Sequence, residues 1–282
     1  MTITGRTRVA GVLGWPIAHS LSPAMHNAAF EALRLDWVYV PFAVPPENLR
    51  AGIAGLRALG FVGANITIPH KQAVMALVDD VTPAADVIGA VNTLVIGERI
   101  VGDNTDWTGF LWALRDVGCN PAGQRAVVLG AGGAARSVVY ALASVGADVA
   151  VYNRHDERAD SLVRDLRPSF RGVSLEAYGM DALRQETRLR PSLIVNTTSL
   201  GMAPRIEQNP WPSDVPVPVG ATAYDLVYNP LATRFLKGAK AAGARAVDGL
   251  GMLVYQGAIA FKMWTGVEPP TDVMYQTCLQ YL

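Results

Sequence analysis

The stretch AVVLGAGGAARS, Ala126 to Ser137, leaves little freedom in what the chain around it can become. Ala126 to Leu129 have the composition and length of a buried strand, and six small residues follow: Gly130, Ala131, Gly132, Gly133, Ala134 and Ala135. A helical pattern begins within that run. A strand that passes into a helix through such residues turns tightly and lets another molecule approach the backbone closely. The helix N-terminus offers unpaired N–H groups and the positive end of a dipole, which together favour a phosphate. A further strand-like run, ADVAVYNR, follows at the distance that a Rossmann unit requires. A glycine turn alone is an ordinary strand–helix join. Strand, turn, helix and second strand together point to a dinucleotide.

The end of the second strand bears on which dinucleotide. NAD binders place an acidic residue there to accept a hydrogen bond from the ribose 2′-hydroxyl. Here Asn153, Arg154 and His155 occupy the point, and Arg158 follows one helical turn later. Guanidinium groups suit a phosphate dianion, so NADP is favoured. Asp156 and Glu157 stand beside them and leave NAD open; a pair of solvated arginines is the plain structural alternative.

Around this unit the chain alternates strand-like and helical segments. RVAGVLG, WVYVPFAV, FVGANITIP and AVNTLVIG read as strands, and PENLRAGIAGLRALG as a helix with Pro46 near its start and Gly60 as its stop. That alternation predicts a parallel sheet with crossover helices in the first third. TGFLWALRDVG reads as a helix ending at Gly118, and SLIVNTTSL and ATAYDLVYN as later strands. DGLGMLVYQGAIAFKMWTG and TDVMYQTCLQYL give two closing helices, the second capped by Thr271. Two α/β domains, with the last helices returning to the first, is the economical arrangement.

Charge and composition remove other classes. With 24 basic and 24 acidic side chains the net charge is zero, which argues against a general nucleic-acid binder. No run of about 20 apolar residues is free of glycine breaks or charges, so no membrane span is expected. MTITGRTRVAG lacks the apolar core of a signal peptide, and two cysteines, Cys119 and Cys278, are too few for a disulfide framework. A soluble protein of a reducing cytoplasm is the expectation.

A second set of residues is polar at strand ends and turns. In GWPIAHSLSPAMHNAAF, Pro23 suits the first helical position, making Ser22 the expected N-cap of a helix Pro23–Leu33. Ser20 and Ser22 would also hold a carboxylate well. His19 and His26 have no third ligand at metal spacing, so no metal is expected and His19 reads as a structural hydrogen-bonding group. In NITIPHK, Asn65 and Thr67 share a strand face, and Lys71 follows Pro69 at the start of a short helix. AVNT adds Asn92 and Thr93; GDNTD adds Asp103, Asn104, Thr105 and Asp106. Each alone is commonly a turn or cap residue. As a set at the ends of strands, hydroxyl, amide, ammonium and carboxylate suit a small polyhydroxylated acid.

Taken in order, GWPIAHSLSP, NITIPHK, GAVNT, GDNTD, GAGGAAR, NTTSLGM, DLVYNP and DGLGMLVYQGAIAF resemble the motifs of the shikimate dehydrogenase family, over nearly the whole chain. The resemblance implies a two-domain α/β enzyme that reversibly reduces 3-dehydroshikimate to shikimate with NADPH, on the route to chorismate and the aromatic amino acids. It implies a substrate-binding and catalytic domain at 1–106, completed by 249–282, and a Rossmann-like NADP-binding domain at 107–248. It assigns Ser20 and Ser22 to the substrate carboxylate. Thr67, Asn92, Asp106, Tyr228 and Gln256 go to the substrate's hydroxyls and ring, and Lys71 and Asp106 form the catalytic pair. Cofactor contacts would run from Gly130–Ala135, Asn153, Arg154 and Arg158 to Thr198, Ser199, Val227 and Gly249. His155 stands where NADP-using members commonly carry threonine. The partners implied are small molecules, with the chain a monomer or homodimer. Quinate and aminoshikimate dehydrogenases share most of these motifs. A non-catalytic dinucleotide-binding regulator is the alternative outside the enzymes, and it predicts losses at Lys71 and Asp106, which are both present.

Overall fold

A computed structural model describes residues 2–185 and 190–282, in two compact units. The first comprises Met1–Gly109 and Leu253–Tyr281, the second Phe110–Met252 with Leu282.

The first unit runs β1 (Arg8–Gly14), α1 (Ser22–Ala32), β2 (Trp37–Ala43), α2 (Leu49–Ala58), β3 (Gly63–Ile66), β4 (Asp80–Val81), α3 (Pro83–Ile88), β5 (Thr93–Ile96) and β6 (Ile100–Asp103). Its six strands are ordered β2-β1-β3-β5-β6-β4. The sheet is not parallel throughout, as alternation predicted: β5 runs antiparallel to β3 and to β6. The reason is local. Only Gly97, Glu98 and Arg99 join β5 to β6, with the Gly97 N–H on the Arg99 carbonyl at 3.1 Å, and so short a link permits a hairpin but no crossover. Leu13, Ile53, Leu56, Ile66 and Leu94 lie in a core between this sheet and α2.

Strand β2 is an edge, and α1 seals it. The Asn27 side chain donates to the Tyr39 carbonyl and accepts from the Tyr39 N–H, both at 2.9 Å, as a neighbouring strand would. On the same outward side the Trp37 N–H is taken by the Leu35 carbonyl, and Pro41 has no N–H to offer.

Helix α4 (Asp106–Asp116) contains the boundary between the units. The second unit continues β7 (Arg125–Leu129), α5 (Gly133–Ser144), β8 (Asp148–Asn153), α6 (Asp156–Leu166), β9 (Leu175–Gly179), α7 (Met180–Gln185), β10 (Leu193–Asn196), β11 (Thr222–Asp225), α8 (Arg234–Ala241) and β12 (Arg245–Val247). All its strands are parallel, in the order β12-β11-β10-β7-β8-β9. The chain therefore fills one side of β7 and then the other. The crevice beyond the carboxyl ends of β7 and β10 is the topological switch point, where open α/β sheets bind ligands. Val127, Val128, Val151, Ile194 and Val195 are fully buried, as strands covered on both faces demand.

Helices α9 (Leu250–Thr265) and α10 (Thr271–Leu279) close the chain, and from Leu253 they belong to the first unit. Trp264 explains how α9 seats there: its indole N–H reaches the Leu94 carbonyl at 2.9 Å, over Gly63, where a Cβ would collide with the ring. Thr271 is not the cap that the pattern predicted. It is the first helical residue, behind Pro270, and its side chain makes no cap bond. Among the described residues no helix is long and apolar enough to cross a membrane.

Candidate active site

In the first unit a line of buried polar side chains leads from α1 to the turn after β3. Ser22 is hydrogen-bonded to the Tyr39 hydroxyl, which donates to Asn65 Oδ1 at 2.7 Å. Burial pushes the Tyr39 hydroxyl well above its ordinary pKa, and the Ser22 bond only partly offsets it. Asn65 in turn donates to Thr93 Oγ1 and to the Asn92 carbonyl. The Asn92 amide then donates to Asp106 Oδ1 at 2.7 Å, to Thr105 Oγ1 and to Gln256 Oε1. Asp106 uses its other oxygen, Oδ2, to hold the Lys71 ammonium at 2.5 Å.

The local chemistry explains these placements. Asp106 opens α4, where a carboxylate is favoured by the helix dipole, and its N–H is held by Asn104 Oδ1. Lys71 lies in the turn before a 3₁₀ segment, Ala73–Leu77, rather than at the start of a helix, and the Val91 N–H anchors its carbonyl at 2.7 Å. The Lys71 and Asp106 side chains are only 14% and 5% exposed. Ammonium and carboxylate removed from water must be paired and hydrogen-bonded to persist, and here both are. Two of the three ammonium N–H bonds have no partner among the described residues, so the group keeps donors to offer a bound molecule.

Ser22 is not an N-cap. Helix α1 begins at Ser22 itself, Leu21 precedes it, and no side chain caps the end. The physical reason is that the Ser22 hydroxyl is engaged by Tyr39, while Ser20 Oγ accepts the Ser22 N–H at 3.3 Å. Thr67 follows β3, half-buried, with its methyl packed where a Cβ on Gly14 would stand. His19 is exposed and makes no hydrogen bond among the described residues, contrary to the sequence expectation. His26 is the opposite case. It is fully buried, stacks on Tyr39 at 4.3 Å between ring centroids, and neither ring nitrogen has a hydrogen-bond partner among the described residues. Burial lowers its pKa to about 3.

In the second unit, Gly130 has φ +110, and a Cβ there would strike Thr197 Oγ1 at 2.7 Å and Thr198 Cγ2 at 2.9 Å. Ala131, Gly133 and Ala134 are half-buried and Ala135 is fully buried. Gly132 precedes α5 with open space where its Cβ would be, no side chain caps the helix, and its first turn carries no acid. A free amino end, a backbone open to close approach and no competing carboxylate fit the pyrophosphate of a dinucleotide. Past β8, Asn153 Nδ2 donates to the His155 carbonyl at 2.8 Å, and His155 lies 3.8 Å from Glu157. Arg154 and Arg158 are exposed and paired with no acid among the described residues. Asp156 accepts the Glu157 N–H and so is engaged by its own helix.

The loops after β10 and β11 meet at two buried side chains absent from the sequence assignment, Asn196 and Asp225. Asn196 Oδ1 accepts from the Thr198 N–H and hydroxyl, and Nδ2 donates to Asp225 Oδ1 and to the Leu200 carbonyl. Asp225 also accepts from the Val227 N–H and from Thr233 Oγ1. Burial raises its pKa to about 6 against these bonds, and Asp248 raises it further. Ser199 is exposed, Tyr228 half-buried, and Gly249 buried so closely against the Leu226 carbonyl that only glycine fits. Asp225 ends a buried strand in an acid, and that was the one available signal for it. Among the described residues no group of His, Cys, Asp and Glu is placed to hold a metal ion.

Comparison with known proteins places this geometry. Residues 12–94 match the family model for the shikimate dehydrogenase substrate binding domain, 113–200 that for shikimate / quinate 5-dehydrogenase, and 249–279 that for the shikimate 5′-dehydrogenase C-terminal domain. A shikimate dehydrogenase (NADP(+)) of Moorella thermoacetica is 50% identical over 96% of this chain and 92% of its own. One of Methanopyrus kandleri is 46% identical over 100% and 98%. The crystal structure of shikimate 5-dehydrogenase from Thermus thermophilus, in complex with NADP(H) and shikimate, superposes with a TM-score of 0.86 at 41% identity, covering 98% of this chain and 100% of that one. The chain belongs to the shikimate dehydrogenase family.

Proposed function

We propose that this chain reduces 3-dehydroshikimate to shikimate reversibly, with Lys71 and Asp106 at the reacting carbonyl. NADPH supplies the hydride when bound. The observation that carries the reading is the Lys71–Asp106–Asn92 cluster, a half-buried ammonium with one N–H fixed and the others free to meet a carbonyl oxygen. As that oxygen gains negative charge, Lys71 Nζ gives it a proton, and Asp106 keeps the ammonium in place. In the oxidative direction the proton returns from the substrate hydroxyl to the same amine.

Ser20 and Ser22 hold the substrate carboxylate, and Thr67, Asn92, Asp106, Tyr228 and Gln256 hold its hydroxyls and ring. Residues 1–106 with 249–282 form the substrate and catalytic domain, and 107–248 the NADP domain. There Gly130–Ala135 receive the pyrophosphate, and Asn153, Arg154, His155 and Arg158 the 2′-phosphate end. Thr198, Ser199, Val227 and Gly249 complete the contacts. The unpaired guanidiniums of Arg154 and Arg158 support NADP over NAD. Two free thiols, Cys119 and Cys278, support a cytoplasmic location, and the chain acts as a monomer or homodimer. The deciding assay measures kcat/KM for shikimate and quinate, each with NADP and NAD. Shikimate with NADP should be the best pair; a preference for quinate, or no turnover at all, would overturn the reading.

A further inference from the structure

We infer that Asp225, acting through Asn196, is a positioning residue that fixes the cofactor-facing loops of the second unit, an inference that rests on the cofactor reading above. Neither side chain is exposed at all. Each bond they make fixes a different piece of chain. Asp225 Oδ1 takes the Val227 N–H at 3.0 Å and the Asn196 amide at 2.8 Å, while Oδ2 takes the Thr233 hydroxyl at 2.7 Å, at the start of α8. Through Asn196 the same carboxylate reaches the Thr198 N–H at 3.0 Å, the Thr198 hydroxyl at 2.7 Å and the Leu200 carbonyl at 3.3 Å. The Asn196 amide thereby uses both donors and both acceptor positions, so it has one orientation.

The linkage extends to the glycine turn. Thr197 donates its N–H and its hydroxyl to the Leu129 carbonyl, the last of β7, and Thr197 and Thr198 fill the space over Gly130. On the other side the Gly249 N–H holds the Val227 carbonyl at 3.2 Å. The switch-point crevice is thus walled by three loops whose spacing is set by one buried carboxylate and one amide. Such a cluster is costly when half-satisfied, because a buried acceptor or donor left alone is heavily penalised. Removing either member should therefore let the loops drift and not merely weaken one bond.

The test compares Asp225→Ala, Asn196→Ala and the near-isosteric Asp225→Asn, which keeps an acceptor at Oδ1 and turns its amide toward the Thr233 hydroxyl. Steady-state KM for NADP, direct NADP titration of the purified protein, and KM for shikimate are measured alongside the melting temperature. The alanine variants should raise KM and the dissociation constant for NADP about tenfold or more with KM for shikimate within about twofold, and Asp225→Asn should recover most of the loss. A purely structural role would lower the melting temperature and the active fraction while leaving NADP affinity alone, and that result overturns the inference. Should Asp225→Ala not fold, Asn196→Ala decides by itself: wild-type affinity for NADP in that variant is fatal. A wild type that fails to oxidise shikimate with NADP removes the cofactor reading, whereas an active wild type with unaffected variants removes only this inference.

Discussion

The two units build their candidate sites from different parts of the chain. In the first, the polar line from Ser22 through Tyr39, Asn65, Thr93 and Asn92 to Asp106 and Lys71 is built of side chains that hold one another. In the second, the centre of the proposed cofactor site is backbone, the uncapped amino end of α5 behind glycines, with the Asn196–Asp225 pair in the loops around it. A side-chain site concentrates its effect in a few atoms, so one substitution removes it. A backbone site spreads its effect over several N–H groups, so single side-chain changes trim affinity without abolishing it.

The largest expected effect tests the concentrated site. Lys71→Ala should lower kcat by roughly 10²–10⁴, the usual range for a positioned acid–base group, with KM for shikimate changed far less. Asp106→Asn should behave similarly, and the double variant should lose less than the product of the two. Near-normal turnover in Lys71→Ala would break the contrast between the units. The distributed site predicts a smaller number. Arg154→Ala should raise KM for NADP by roughly 10- to 100-fold, the equivalent of losing a charge-assisted contact, and leave KM for NAD nearly unchanged, since NAD has no 2′-phosphate. Equal effects on both cofactors would mean that Arg154 serves the fold or the shared part of the dinucleotide.

Acid separates the units in another way, because their buried titrating groups shift in opposite senses. His26 has its pKa lowered to about 3 in the folded chain, against about 6.5 in an unfolded one. Below pH 6.5 the unfolded chain takes a proton that the native one refuses, so stability falls as the pH drops toward 3. His26→Phe should remove that slope and gain about 2 kcal/mol on wild type between pH 7 and pH 5, measured by urea titration at each pH. Asp225 is raised to about 6, with Asp248 the charged neighbour that adds to burial. Between pH 6 and 3.8 the native state holds the extra proton, so stability rises as the pH falls through 6. Relative to Asp225→Asn, wild type should gain about 1 kcal/mol over the same interval, the smallest of the four effects. Parallel slopes for the two pairs would erase the distinction.

The difference in construction also decided what was legible. The glycine turn could be read from spacing alone, because its conformation requires particular residues: a positive φ at Gly130 and open backbone at Gly132. The residues proposed for catalysis and substrate binding carry no such spacing signal. Lys71, Asp106 and Gln256 converge from distant segments, and the family's motifs, not their spacing, bring them together in the sequence. Local pattern makes Ser22 a cap because it holds the proline after Ser22 but not Tyr39, a strand away, which takes the hydroxyl. The direction of β5 was missed because alternation is blind to the length of a connection, and three residues cannot cross over. Asn196 and Asp225 were invisible as a pair: each looks like a residue closing its own strand, and only the parallel register of β10 with β11 sets them side by side.

The seal that Asn27 places on β2 bears on how the chain survives before and after it is a catalyst. An unblocked sheet margin is a template on which another copy can add a strand, and stacked copies lead to aggregates. Here the amide of one helix residue occupies both backbone polar groups of Tyr39, Leu35 covers the Trp37 N–H, and Pro41 contributes none. A growing filament would find few hydrogen bonds to begin on. The residue that closes this margin also fixes the backbone of Tyr39, whose hydroxyl joins the buried polar line, so one amide serves both the sheet's edge and the interior network.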